Sequence, residues 1–340
     1  MQHNSQAQRI VLAARPEGEP KATDFRLEKM SIPGPALGQV LLQTLWLSLD
    51  PYMRGMMDDV ESYVEPVALN QTMAGEVIAR VLASRLDGYS PGDVVLAPIG
   101  WTTHGLSDGT RLRKIAPSTI PLEAHLGVLG MPGFTAYAGM AEIGKPKRGE
   151  TVVVASASGP VGSLVGQIAR RAGAKVVGIA GGAEKCSYVK EVFGFDVVID
   201  HRKGNLGQAL SDACPNGIDV YFENVGGPVW DAVFPLLNRF ARVPVCGLIA
   251  DYNGISGEDT ITARDIMLMT LVKSYTIRGY INYDLEHLLP AFLADIAPGV
   301  EDGSIAHREQ IVQGLENAPA ALNGLLKGAN FGKLVVKVAE

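Results

Sequence analysis

The chain has 340 residues, which exceeds the ~250–300 residues at which a single hydrophobic core stops growing, so its length favours two domains. Its 47% hydrophobic and 19% charged residues are typical of a folded globular protein and exclude long disordered regions. The formal net charge is -6, with 30 basic and 36 acidic residues mixed along the chain, so we expect no nucleic-acid partner.

Cysteine and histidine usage argues against disulfides and against a metal site. The three cysteines, Cys186, Cys214 and Cys246, are far apart and form no Cys-x-x-Cys pair. The six histidines are scattered, so we expect no metal ion.

Residues 1–9 lack the apolar segment of a secretory signal, and no apolar run reaches the ~18 residues needed to span a bilayer. We therefore expect a soluble, cytoplasmic protein that binds no membrane.

The region from 9 to about 121 consists of short β-rich runs separated by glycine and proline turns. The clearest runs are residues 39–44, 76–81 and 93–97. Long helical periodicity is nearly absent, so this region predicts an antiparallel barrel or sandwich. Residues 88–92 match the Gly-x-Ser-x-Gly motif of hydrolases, but Ser90 precedes a strand instead of following one, which favours a β-turn.

From about Gly130 onwards, strands alternate with helix-length segments. The predicted strands are residues 151–155, 175–179, 197–199, 219–222, 242–246 and 275–277. Strands joined by crossover helices form a parallel, doubly wound sheet that is covered on both faces. A last strand at 330–338 follows a helix, and we expect it to return to the first module. The predicted domains are therefore 131–304 and a discontinuous domain formed by 1–130 plus 305–340.

A glycine-rich turn follows the first strand of the parallel sheet. In the dinucleotide fingerprint Gly-x-Gly-x-x-Gly, the glycines make the turn, admit the pyrophosphate and permit close helix packing. Here Ala157, Gly159 and Gly162 occupy the three positions, just where a helix is predicted from Pro160. The N-terminus of a helix is an anion site. We therefore expect a dinucleotide here, with a purely structural turn as the alternative.

The end of the second strand indicates which dinucleotide is preferred. An enzyme that uses NAD normally has Asp or Glu there to bind the ribose 2′-hydroxyl, whereas this chain has Ala180, Gly181 and Gly182. Without the carboxylate, a 2′-phosphate is not repelled, and Lys185 can supply positive charge. The alternative is that Lys185 is one of several solvated lysines, and 201–202 (His-Arg) offers weaker candidates for the same phosphate. NADPH is therefore the predicted cofactor.

Several further motifs occur in collinear order over nearly the whole chain. They are Leu-Asp-Pro-Tyr-Met-Arg at 49–54, Ser-Tyr at 62–63, Gly-Trp at 100–101, Met-Pro-Gly-Phe-Thr-Ala-Tyr at 131–137, Glu-Asn-Val-Gly-Gly at 223–227 and Asn-Phe-Gly-Lys at 330–333. With them the chain resembles zinc-free medium-chain dehydrogenase/reductases, in the branch of prostaglandin and leukotriene reductases, plant double-bond reductases and bacterial curcumin reductases. The resemblance implies an α/β fold with a Rossmann domain and a GroES-like antiparallel β-barrel domain.

The resemblance also implies which residues contact NADPH. Gly159, Val161 and Gly162 would contact the pyrophosphate, and Lys185 the 2′-phosphate. The remainder of the cofactor site would be lined by Asn224, Cys246, Gly247, Tyr252, Tyr280, Ile281, Asn282 and Asn330. His201 is aligned with a position where the family often has Tyr, so it departs from the pattern on the adenosine side. Asp251 also differs from the family, although Tyr252 after it is kept.

The resemblance, together with a missing ligand, indicates the reaction. Zinc-dependent relatives carry Gly-His-Glu where this chain has 74–76 (Ala-Gly-Glu), so the zinc needed to polarise an alcohol or carbonyl oxygen is not expected. Hydride transfer to the β-carbon of a small apolar enone or enal is favoured instead. The resulting enolate needs a hydrogen-bond donor, for which Tyr252 is the first candidate and Tyr52 the second. Tyr63 and Trp101 would line the apolar substrate wall.

Other functions remain open on the sequence. A zinc-free quinone oxidoreductase would share the fold and the cofactor, and a non-catalytic NADPH-binding protein would keep the glycine turn without turnover. The identity of the alkene depends on loops at 56–70 and 251–265. The family resemblance further implies a homodimer.

Overall fold

The computed structural model describes residues 5–254 and 261–340. The chain divides into two compact units, a first unit of 1–126 with 309–340 and a second unit of 127–308. The sequence places the corresponding boundaries at 130 and 305. Within the described ranges, no helix is long and apolar enough to cross a membrane. Part of the predicted substrate loop 251–265, namely 255–260, lies outside the described residues.

The chain up to residue 126 forms mostly antiparallel strands around β3. Its elements are β1 Ser5–Leu12, β2 Phe25–Ile32, β3 Val40–Ser48, α1 Tyr52–Gly55, β4 Val77–Ser84, β5 Val94–Ala97, β6 His104–Ser107 and β7 Arg113–Lys114. β3 pairs antiparallel with both β4 and β6. It extends beyond the predicted run because Leu45 and Leu47 face two different apolar clusters, so both faces of the strand are buried.

The second unit is a parallel six-stranded sheet with helices. Its elements are α2 Met131–Gly139, β8 Thr151–Val154, α3 Pro160–Arg171, β9 Lys175–Ala180, α4 Ala183–Glu191, β10 Val197–Asp200, α5 Leu206–Ala213, β11 Ile218–Phe222, α6 Gly227–Val233, β12 Leu237–Val245, α7 Ala263–Lys273, β13 Thr276–Gly279 and α8 Leu289–Glu301. The strand order is β10-β9-β8-β11-β12-β13. The doubly wound parallel sheet predicted from the alternating pattern is confirmed.

The strand order places a topological switch point between β8 and β11. The chain runs outward from β8 through β9 to β10, then returns to β11 and runs outward the other way. Ligands of doubly wound sheets bind at the carboxyl ends of the strands at such a point. The glycine turn after β8 and the segment after β11 therefore lie where a dinucleotide is expected.

The last strand of the chain pairs within the first unit. The elements here are β14 Glu309–Gln313, α9 Ala318–Leu326 and β15 Lys333–Lys337. β15 pairs antiparallel with β3, with Val336 opposite Leu47, so the tail lies in the same sheet as β3. β14, which pairs parallel with β15, has no counterpart in the sequence prediction because its side chains are half exposed and only Ile311 and Val312 are apolar.

Candidate functional site

The glycine turn between β8 and α3 is a close backbone contact. A Cβ added at Gly162 would lie 2.5 Å from the carbonyl oxygen of Ser156, so the first turn of α3 approaches the turn as only glycine permits. Gly159 is the N-cap of α3 and Pro160 its first residue. Val161 follows in the same first turn, whose free N–H groups and helix dipole favour an anion. These residues fit a pyrophosphate.

Alanine replaces the first glycine of the fingerprint without closing the turn. Ala157 is fully buried, and its N–H donates to the carbonyl of Ile179 at 3.0 Å. A Cβ added at Gly178, on the neighbouring strand β9, would lie only 2.9 Å from the Cβ of Ala157. The extra methyl group is therefore accommodated because β9 has a glycine opposite it.

Positively charged side chains gather at the carboxyl end of β9. A Cβ added at Gly181 would lie 2.7 Å from Nε2 of His201 and 2.9 Å from Nε of Arg202. Lys185, in the first turn of α4, is near enough to Arg202 for the guanidinium to lower the pKa of the lysine, after the larger effect of burial. Burial and then Arg202 also lower the pKa of His201, which favours its neutral form. The structure thus brings the two weaker sequence candidates together with Lys185.

The Asp200 carboxylate anchors the loop segments that carry these cationic side chains. Asp200 accepts hydrogen bonds from the backbone N–H groups of Gly182 at 2.9 Å and of Arg202 at 3.1 Å. The Gly182 hydrogen bond is the largest cause of the lowered pKa of Asp200. Gly182 has a φ of +98°, a conformation that favours glycine. Asp200 therefore orders the loop beside Lys185, His201 and Arg202, the side chains that could bind a 2′-phosphate.

The segment after β12 packs against the turn after β11. Asn224 lies in that turn, and its Oδ1 is buried with no hydrogen-bond partner among the described residues. Tyr252 ends the adjacent segment, and its hydroxyl would lie 3.0 Å from a Cβ added at Gly247. Burial raises the pKa of the Tyr252 phenol, so the group stays a neutral donor at neutral pH. These residues meet at the end of β11, beside the switch point.

Tyr280 and Cys246 are linked inside the second unit. The Tyr280 hydroxyl donates to the carbonyl of Thr135 at 2.6 Å and is also hydrogen-bonded to the Cys246 thiol. Burial raises the pKa of Cys246 to about 12, so the thiol is protonated and weakly nucleophilic at neutral pH. Ile281 and Asn282 follow at the end of β13 and begin a short 3₁₀ segment.

In the first unit, a buried ion pair joins two of the sequence motifs. The ammonium of Lys333 lies 2.7 Å from Oδ1 of Asp50 and 2.6 Å from the carbonyl of Leu49, with both charged side chains almost fully buried. Tyr52 begins α1 two residues after Asp50, and Asn330 precedes Lys333 by three residues. The ion pair therefore joins the segment that carries Tyr52, a candidate donor, to the segment that carries Asn330, a candidate cofactor ligand.

This pair was missed in the sequence, although a signal was available. Lys333 opens a strand whose next three residues are apolar, and a charge at such a position needs a partner. Two motif neighbours also have structural roles. Arg54 is buried and donates to the carbonyl of Gly18, and the side-chain amide of Asn330 donates to the carbonyl of Gly332 at 2.8 Å.

The two predicted wall residues differ in exposure. The Tyr63 side chain is 55% exposed, in a loop of the first unit. Trp101 is fully buried and stacks on Phe25 with ring centroids 5.7 Å apart. The structure thus places Trp101 in the core and not on an open substrate wall, because its ring is covered on both sides.

Trp101 also helps to fill the space around Gly75, the position at which zinc-dependent relatives have their histidine ligand. A Cβ added at Gly75 would lie 3.1 Å from Cδ1 of Leu47 and 3.2 Å from both Met53 and Trp101. Apolar side chains thus fill the space that a histidine would need. In the described part of the chain, no group of three or more His, Cys, Asp or Glu side chains could hold a metal ion. The residues present do not fit zinc.

Comparisons with known proteins bear on the whole chain. Residues 8–115 match the family model of the N-terminal domain of oxidoreductase, and residues 160–297 match the model described as zinc-binding dehydrogenase. The NADPH-dependent curcumin reductase of Escherichia coli (strain K12) is 48% identical over 99% of both chains. The chain belongs to the medium-chain dehydrogenase/reductase family. The resemblance inferred from the motifs is confirmed, and the protein is an oxidoreductase.

Two further members of the medium-chain dehydrogenase/reductase family extend the comparison. The NADP(+)-dependent 2-alkenal reductase of Nicotiana tabacum is 39% identical, covering 97% of each chain. The crystal structure of CurA from Vibrio vulnificus in complex with NADPH is 47% identical and superposes with a TM-score of 0.94, over 98% of this chain and 99% of that one. The α/β fold class that was predicted for the present chain is thereby confirmed.

Proposed function

We propose that this protein uses NADPH to reduce the C=C bond of small apolar α,β-unsaturated ketones and aldehydes. The observation that carries the proposal is the similarity, over 97–99% of the chain, to reductases named for curcumin and for 2-alkenals with NADP(H). The site is consistent with it. The glycine turn fits a pyrophosphate, and Lys185, His201 and Arg202 fit a 2′-phosphate.

The proposed roles divide between binding and donation. NADPH supplies the hydride that reaches the β-carbon of the alkene. The protein holds the cofactor and stabilises the negative charge that develops on the substrate oxygen. Tyr252 is the proposed donor to that oxygen and Tyr52 the second candidate, with Tyr63 on the apolar wall. The proposed cofactor contacts are Gly159, Val161, Gly162, Lys185, His201, Asn224, Cys246, Gly247, Tyr252, Tyr280, Ile281, Asn282 and Asn330.

Oxidation of NADPH with matched acceptors tests the reaction. We expect turnover with a simple enone and a simple enal, and much slower turnover with a quinone of similar size. Faster turnover of the quinone would assign a quinone oxidoreductase. Tight NADPH binding without oxidation by any activated alkene or quinone would assign a non-catalytic NADPH-binding protein. Product analysis by mass spectrometry should show two added hydrogens and an intact carbonyl group.

Cofactor preference gives a second prediction. Lys185→Ala and Arg202→Ala should each raise the KM for NADPH about 10- to 100-fold, because each removes a charge-assisted contact with the 2′-phosphate. The KM for NADH should change little, since NADH lacks that phosphate. Lys190→Ala, on the same helix α4, is the matched control. Equal effects on both cofactors would contradict the phosphate assignment.

We also propose that two copies associate through the β13 edge of the sheet. β13 ends the six-stranded sheet, and the adjacent α7 exposes Met267, Leu268 and Leu271, with Leu271 78% exposed. An unpaired strand edge beside an apolar helix face is a surface that a second copy can cover. We further propose that the protein acts in the cytoplasm, where free thiols such as its three cysteines stay reduced.

The assembly is tested by light scattering or sedimentation. Leu271→Asp should convert the homodimer into a monomer, because a buried unpaired carboxylate opposes association. Leu37→Asp is the control, since Leu37 is 82% exposed but lies in the first unit. A wild-type monomer, or a dimer unaffected by Leu271→Asp, would refute this interface.

A further inference from the structure

Glu223 is a buried acidic residue that lies outside the proposed donors and cofactor contacts. It directly follows β11 and is only 2% exposed. Its Oε1 accepts hydrogen bonds from the Tyr221 hydroxyl at 3.0 Å and from the backbone N–H groups of Val225 and Gly226 at 2.8 Å each. Its other oxygen, Oε2, is buried with no hydrogen-bond partner among the described residues, so Oε1 alone links the side chain to the turn. Glu223 therefore fixes the conformation of the 224–226 turn.

Glu223 and the 224–226 turn are joined to the 246–252 segment by backbone hydrogen bonds. The N–H of Cys246 donates to the carbonyl of Glu223 at 2.9 Å. The N–H of Ala250 donates to the carbonyl of Val225 at 2.9 Å, and a longer bond of 3.4 Å joins Ile249 to Asn224. Successive carbonyl groups thus accept from successive parts of the segment. A change in the turn must move the segment with it.

The segment carries Tyr252 and sets the position of its phenol. The N–H of Tyr252 donates to the carbonyl of Ile249, and the phenol is hydrogen-bonded to the backbone of Leu248. The hydroxyl also lies close to Gly247, where a Cβ would be 3.0 Å away. Both of these contacts of the phenol lie within the segment that the 224–226 turn supports.

We propose that Glu223 is a positioning residue for Tyr252, acting through the hydrogen bonds of its carboxyl oxygen to Val225 and Gly226. Its effect on turnover rests on the proposed function, in which Tyr252 is the donor. Its effect on the conformation of the 246–252 segment does not. A donor displaced by about 1 Å can lose ~100-fold in rate, so a distant anchor can matter to the chemistry.

Four variants separate this role from general stability. Glu223→Ala removes the acceptor, and Glu223→Asp withdraws it by one methylene, so both should lower kcat with an enone about 10- to 100-fold. Glu223→Gln keeps a carbonyl oxygen at the same reach and should restore most of kcat. Tyr221→Phe is the matched control, because it removes a bond to the same oxygen without touching the turn. If Glu223→Ala does not fold, Glu223→Asp carries the test.

A double-mutant cycle supplies the deciding readout. If Glu223 acts through Tyr252, Glu223→Asp should cost kcat much less in the Tyr252→Phe background than in the wild type. Effects that multiply independently would overturn the proposal. Hydrogen exchange of the 246–252 amides is measured without turnover. It should quicken in Glu223→Asp but not in Glu223→Gln, and unchanged exchange would also overturn the proposal. If the wild-type protein does not turn over an enone, the proposed function is refuted, but the effect of Glu223 on the 246–252 segment is not.

Discussion

Replacing Lys333 by Met should lower the free energy of unfolding by about 3–5 kcal/mol, the usual cost of leaving one member of a buried ion pair alone. Asp50 would then keep a buried carboxylate that accepts a hydrogen bond from the Ser48 hydroxyl but faces no ammonium. The carbonyl of Leu49 would lose its donor as well. Chemical denaturation of both proteins, with equal slopes in denaturant, measures the difference.

A control in the same strand isolates burial as the cause. Lys337 lies four residues along β15 and pairs with Glu340 at 2.9 Å, but Glu340 is 94% exposed. An exposed pair is worth about 0–1 kcal/mol, so Lys337→Met should cost little. Similar losses of unfolding free energy in the two variants would show that burial does not make the Asp50–Lys333 pair more stabilising than the exposed pair.

The sequence was most informative where the backbone itself carries the signal. The turn at Gly159 and Gly162 could be predicted because close approach of backbone to ligand requires glycine, and the parallel sheet because its buried strands are continuous apolar runs. The strand β15 itself was also predictable, because Lys333 is followed by three apolar residues. These features depend on local residue types, so one chain suffices to show them.

Features that depend on packing between distant residues were less accessible. Trp101 was predicted at a substrate wall, since nothing local shows that Phe25 covers one face of its ring. The grouping of Arg202 with Lys185 arises because β10 lies beside β9, which the sequence order alone does not give. Glu223 looked like an ordinary polar residue after a strand, because two of its three partners are backbone N–H groups. Sequence identifies the candidates, and tertiary contacts decide their roles.

The Tyr252→Phe variant should have the largest effect on the proposed reaction. Removing one donor to a developing oxyanion usually lowers kcat about 100- to 1,000-fold, and Phe keeps the ring that packs in the segment. The KM for NADPH should change little, because Phe keeps the ring of this proposed cofactor contact and the lost donation is to the substrate oxygen. Rapid measurement of NADPH oxidation with a simple enone, at saturating substrate, gives kcat directly.

Two companion variants sharpen that result. Tyr275→Phe removes a hydroxyl that donates to the carbonyl of Leu237 in the core of the same unit, and it should leave kcat unchanged. Tyr52→Phe tests the second candidate donor. Unchanged kcat in Tyr252→Phe with a large loss in Tyr52→Phe would transfer the role to Tyr52. Because burial raises the Tyr252 pKa, the phenol stays protonated up to at least the ordinary value of ~10, so its donation should not titrate at neutral pH. A kcat that falls between about pH 6 and pH 8 must therefore arise from another group.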